Sequence, residues 1–323
     1  PPLRGPRFSS PRLDAMVSRL ADLRRPRVRP ADLLRAEHYH EGMFGGLSPD
    51  GVKRELAALV ASPRFRDIEL TDYAQVTDEK RSIQFAAVTF VCPGCFAYVA
   101  YRGTDVGFAG WRENFEAAYA APTRAQDMAV EYLELAARHV PRGLPLFVGG
   151  HSKGGNYALY AALTCSREVQ DRIARVYVHD GPGFKPGLFG ARDYDPLLGR
   201  IDKTVPQDSL VGLLLDYPGE LRVVRSDASG LMQHSLFSWQ VDLEEGDFEP
   251  APDGLSDSAR FTAEVISDWI AGYDEGDVAA VTGALFRAIE ASGARDASDI
   301  LLADGRKLLA LVSEAARQAE NSK

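Results

Sequence analysis

Cysteine is scarce in this sequence: Cys92, Cys95 and Cys165 are the only three in 323 residues, an odd number too small for a disulfide framework. That usage predicts a reducing compartment, read here as the cytoplasm. Positive charge is also short, with 37 Lys and Arg against 46 Asp and Glu, a formal net charge of −9 and a pI near 5.3. Without a basic footprint nucleic acid is excluded as the main partner. Long apolar runs are missing too. No stretch reaches the roughly 20 residues a transmembrane helix needs, and Pro1 to Ser10 hold no apolar stretch of a secretory signal. Peripheral contact with a lipid surface stays compatible with that absence, and nothing in the sequence sets an oligomeric state. Metal-ligand spacing is equally poor. Cys92-Pro93-Gly94-Cys95 has the C-x-x-C form, but it lies between two β-rich runs and has no further Cys or His pair nearby, so it reads as a hairpin turn.

What is present is the composition of a globular α/β protein, 45% hydrophobic and 26% charged. Residues 1–47 read as a helical lead-in, with Leu13, Met16, Leu20 and Leu23 at helical spacing, and the Arg24 to Arg29 charge run reads as a solvated face. Residues 48–250 read as the core. Strands are expected at Ile83 to Val91 and Cys95 to Arg102, a helix at Thr123 to Val140, a buried strand at Leu144 to Gly150, a helix at Gly155 to Cys165 and a strand at Ala174 to Asp180. The Gly- and Pro-rich stretch from Phe184 to Gly219 predicts an irregular excursion, and Leu221 to Val224 with Phe237 to Leu243 predict a last pair of strands. Residues 251–323 read as a helical appendage.

The informative segment is Gly150-His151-Ser152-Lys153-Gly154. A hydroxyl is a poor nucleophile until a base takes its proton, so a catalytic serine must project where a histidine reaches it. In G-x-S-x-G a sharp strand-to-helix turn provides this, and the flanking glycines let strand and helix pass closely. Here an apolar strand precedes Ser152 and a helix follows. The helix N-terminus also puts the backbone N–H of Lys153 beside the nucleophile as a first oxyanion donor.

Tyr101-Arg102-Gly103-Thr104-Asp105 follows an earlier apolar strand. Arg-Gly-Thr in that setting, with Gly-His-Ser-x-Gly-Gly downstream, resembles the class 3 (fungal-type) lipases and a lipase-like bacterial family of unassigned function related to them. The likeness runs from Arg81 to about Val241 and implies an α/β-hydrolase fold, a mostly parallel sheet flanked by helices. It also implies Thr104 as the second oxyanion donor; a buried Arg102 tying strand ends together is the plainer reading of this segment, and the two are compatible. Lys153 departs from the leucine usual in those lipases, which leaves the backbone donor intact and places a cation near the pocket.

Six histidines are present, and in the hydrolase order of serine, acid, histidine only His179 and His234 follow Ser152. His179 lies within a strand, whereas His234 precedes an aromatic-rich strand, as a Gln-His pair does in the lipase-like family, and is taken as the base. For the acid the candidates are Asp180, Asp208, Asp216 and Asp227. Asp208 is preferred because class 3 lipases have an Asp near this position, with Asp180 as the alternative. Trp111, Phe115 and Tyr119, four apart, form either a core stripe or, as the resemblance implies, an apolar lid. The expected activity is hydrolysis of a small-molecule or lipid carboxylic ester through an acyl-enzyme, which needs no metal and no cofactor. A binding module on the same fold, or a thioesterase or amidase, are the competing readings.

Overall fold

A computed structural model of the chain describes residues 27–35, 37, 48–78, 81, 83–103, 122–272 and 276–277. Thr104, the stripe from Trp111 to Tyr119 and most of the N-terminal lead-in and C-terminal appendage lie outside the described residues.

Alternating Val, Phe and Ala make Ile83–Cys92 (β2) and Phe96–Tyr101 (β3) an antiparallel pair. Pro93-Gly94 turns between them, with Gly94 at φ 74° and the Cys95 N–H donating to the Cys92 carbonyl at 3.0 Å. A strand unforeseen in the sequence precedes them. Glu69–Asp78 (β1) pairs antiparallel with β2, and its register slips between Thr71 and Ala74, where Asp72 takes φ 56°. From β3 onward the sheet is parallel and runs in chain order through Leu146–His151 (β4), Ile173–His179 (β5), Ile201–Pro206 (β6) and Arg222–Val224 (β7). This mostly parallel seven-stranded sheet flanked by helices is the α/β-hydrolase-like architecture that the sequence predicts.

Two expectations need correction. The stretch from Phe184 to Gly219 is not irregular throughout, since β6 runs inside it. Phe237 to Leu243 does not join the main sheet: Leu236–Ser238 is a 3-10 turn, and Val241–Asp242 (β8) pairs only with Asp247–Phe248 (β9).

Among the helices, Pro30–Leu33 (α1) and Pro49–Ala61 (α2) precede the sheet. Arg124–His139 (α3) begins at a capping box in which Thr123 and Gln126 satisfy each other's backbone N–H. It packs against Lys153–Thr164 (α4) on the sheet face where Phe85, Tyr101, Leu133, Val148, Leu159 and Val178 form the core. Alanines at 129, 136, 158, 161 and 162, all fully buried, let these helices approach closely. Arg167–Arg172 (α5) leads into β5, and Asp257–Gly272 (α6) lies after the two short strands. Two buried polar residues of the helices are paired. Gln126 donates to Asn156 at 2.9 Å, and Asn156 donates to the Gly183 carbonyl at 2.7 Å, tying both helices to the loop that leaves β5.

Candidate active site

The carboxyl ends of parallel strands form the ligand-facing edge of such a sheet, and the candidate residues collect there. Ser152 directly follows β4 and caps α4 with φ 58° and ψ −132°, a conformation most side chains avoid. Packing holds it there. The Ser152 N–H donates to the His179 carbonyl at 2.9 Å, and the Gly155 N–H returns to the Ser152 carbonyl at 2.9 Å. A Cβ on Gly150 would lie 2.7 Å from the Tyr101 carbonyl, and one on Gly103 would lie 3.3 Å from the Ser152 Cβ. The glycines are therefore required by close approach, and the Arg102-Gly103 segment lies against the serine. Arg102 itself is exposed, which corrects the reading of a buried strand tie.

His234 ends a 3-10 turn, Gly230–His234. Its Nδ1 meets Asp180 Oδ2 at 2.6 Å, with the histidine side chain 23% exposed and the aspartate 1%. Asp180 is the first residue past β5, at φ 45°, and its other oxygen accepts from Ser209 Oγ at 2.5 Å and from the Gly212 N–H at 3.0 Å. A carboxylate satisfied on both oxygens is held at one orientation, and Nε2 of the imidazole is left for a proton transfer.

It is Asp180, the alternative acid, and not the preferred Asp208 that meets the imidazole. Asp208 does not meet His234. It exchanges two hydrogen bonds with Gln233, its Oδ2 accepting from Nε2 at 2.8 Å and its N–H donating to Oε1 at 2.9 Å. Gln233 is 1% exposed, and its carbonyl accepts from Trp239 Nε1 at 2.8 Å, so Asp208 anchors the turn that carries His234. Neither of the other two aspartates weighed as the acid meets the imidazole either. Asp216 bridges through its backbone to Phe184, and the Asp227 N–H donates to the Ser238 carbonyl.

Lys153 is 4% exposed, with its ammonium over the Tyr157 ring at 5.6 Å. Its backbone N–H belongs to the first turn of α4, where helix geometry provides no intrahelical acceptor. His179 sits on the opposite sheet face, edge-on to Trp239 and Phe248 at 6.0 and 5.8 Å.

His151 is the contributor that sequence reading passed over. Its ring lies 4.5 Å from that of His234, and its Nε2 is 2.6 Å from the His234 carbonyl oxygen. Burial, then the neighbouring His234, push its pKa down from 6.5 to about 3. His179 is lowered as well, first by burial. Unfolded imidazoles bind protons below about pH 6.5 while these folded ones do not, so acid favours the unfolded chain. Thermal stability is expected to hold above neutrality and to fall as pH drops below 6.5, by up to about 1.4 kcal/mol per pH unit for a group like His151. Melting curves from pH 8 to 4 check this, and His151→Gln should flatten the slope.

Not every Asp–His contact is a site. His139 Nδ1 meets Asp72 Oδ1 at 2.8 Å, but both are buried and join the β1 bulge to the end of α3. His234 differs in lying against the residue that precedes Ser152. Among the described residues no group of His, Cys, Asp and Glu has the form of a metal site, and no helix is long and apolar enough to cross a membrane.

A family model described as Mbeg1-like matches residues 59–287, more than half of the chain. Six chains of solved structures match as well. One is described as the crystal structure of M37 lipase, 15% identical at a TM-score of 0.37, with the match covering 50% of this chain and 62% of that one, less than two thirds of its length. No curated protein matches the sequence.

Proposed function

We propose that this chain, which belongs to the Mbeg1-like family, is a serine hydrolase that cleaves carboxylic esters through Ser152, His234 and Asp180. The observation that carries this reading is the 2.6 Å contact of His234 Nδ1 with the buried Asp180, made beside a serine at φ 58° on a strand-to-helix turn. A merely structural serine gains nothing from that backbone cost, whereas a nucleophile must project from it.

In the proposed reaction His234 Nε2 takes the Ser152 proton as Oγ attacks the ester carbonyl. The oxyanion is held by the backbone N–H groups of Lys153 and Thr104. The imidazolium, stabilised by Asp180, returns its proton to the alkoxide as the C–O bond breaks and the alcohol leaves. Water, deprotonated by the same imidazole, then attacks the acyl-enzyme, and Ser152 is released with the carboxylic acid. Met232, two residues before His234, is 56% exposed, and Phe237, three residues after it, is 45% exposed, apolar side chains that suit an acyl substrate. The ester would come from solution or from a lipid surface.

Incubation with a fluorophosphonate ester tests the reading. A single phosphonylated peptide carrying Ser152 is expected by mass spectrometry, with hydrolysis of p-nitrophenyl esters lost in parallel. An enzyme that stays unmodified would end it.

A further inference from the structure

The base turn is short and partly exposed. Gly230–His234 is five residues long, Met232 on it is largely exposed, and the His234 imidazole reaches solvent. Its position depends on contacts from outside. One is the Asp208–Gln233 pair, which fixes the residue before the base.

The second contact comes from the nucleophile's own strand. His151 ends β4 and is followed by Ser152. A carbonyl oxygen only accepts, so the 2.6 Å contact between His151 Nε2 and the His234 carbonyl makes Nε2–H the donor and fixes the His151 tautomer. The rings lie over one another at 4.5 Å with a 35° tilt, so the imidazole of the base is braced along its face as well as through its backbone. The charged and titratable groups acting on His151 are His234, Asp180 and His179. A neutral ring with Nε2 protonated keeps the donor across the neutral pH range.

We infer that His151 is a positioning residue, a clamp that holds the turn of His234 against the strand carrying Ser152 and so sets the distance between base and nucleophile. This rests on the hydrolase reading above. Ser152 is fixed by the end of its strand and Asp180 orients the His234 ring, while His151 couples the backbone of the base turn to the serine's strand across one hydrogen bond. Displacing a catalytic group by about 1 Å costs on the order of 100-fold in rate.

The test compares wild type, His151→Ala and His151→Gln by kinetics on p-nitrophenyl butyrate, rate of fluorophosphonate labelling, and proton NMR of the imidazole N–H region. The alanine variant is expected to lose about 30- to 100-fold in kcat with KM changed less than about threefold. Glutamine, whose amide N–H can donate to the same carbonyl, should recover at least about tenfold of that loss. In wild type the His234 Nδ1 proton, shared with Asp180, should give a far-downfield resonance that broadens in the alanine variant and returns with glutamine. An alanine variant with wild-type kcat, glutamine no better than alanine, or a downfield resonance absent from wild type or unchanged by alanine would each overturn the clamp. Wild type inert to the fluorophosphonate would instead sink the hydrolase reading, while the resonance still decides whether His151 holds the turn. If the alanine variant does not fold, glutamine and the wild-type spectrum carry the decision.

Discussion

Ser152→Ala is expected to lower kcat/KM for p-nitrophenyl butyrate by about 10⁴- to 10⁶-fold, with the protein still folded. Removing the hydroxyl leaves His234 with no proton to take, and only oxyanion donors and binding remain to accelerate attack by water. Stability should barely change, because alanine inherits the same backbone at φ 58°. Ser152→Gly offers the informative contrast: glycine relieves the left-handed conformation, and a gain of about 1 kcal/mol is expected together with the same loss of activity. A serine kept for structure predicts the opposite pairing, with activity unaffected by either change. Equal hydrolysis by wild type and Ser152→Ala would remove Ser152 from the mechanism.

The elbow was legible in the sequence because its parts are contiguous. An apolar run, two glycines and a helix-forming segment surround Ser152, and each is required by local geometry, down to the Gly150 Cβ that would strike the Tyr101 carbonyl. The aspartate that meets His234 was not legible for the opposite reason. Asp180 and Asp208 both lie between serine and histidine in the chain, and order cannot separate them. What separates them is that β5 is the hydrogen-bonded neighbour of β4, pairing His179 with His151, so the residue after His179 emerges beside Ser152. The loop after β6 then supplies Ser209 and Gly212 to Asp180 and leaves Asp208 to Gln233.

Strand β6 escaped notice because Asp202 and Lys203 break its apolar pattern. Lys203 is 2% exposed, its ammonium 4.6 Å over the Tyr217 ring, a packing arrangement that no periodicity rule anticipates. Strand β1 was hidden by its bulge at Asp72 and by its polar residues. The alternation in Phe237 to Leu243 does not make a strand of the main sheet, since Trp239 spends its indole N–H on the Gln233 carbonyl and the chain turns to support the turn that carries His234.

Asp180→Asn carries the second large expectation, a fall in kcat of about 10⁴-fold with little change in fold. An ionised carboxylate accepts from His234 Nδ1–H, which leaves Nε2 unprotonated and able to take the Ser152 proton. An asparagine amide at that position can donate to Nδ1, which transfers the ring proton to Nε2 and blocks the base. The loss is therefore one of tautomer and of imidazolium stabilisation rather than of shape. Asp208→Asn tests the same chemistry where it should be absent. Its side-chain oxygen still accepts from Gln233 Nε2, and the backbone bond to Gln233 Oε1 is untouched, so kcat should stay within about threefold of wild type. Asp208→Ala removes that acceptor and loosens the turn, and it should fall between the two. Parallel kcat measurements on the three variants order the roles: an Asp208→Asn loss as large as that of Asp180→Asn would return the acid to Asp208, because a residue that only anchors Gln233 through an acceptor is served equally by an amide.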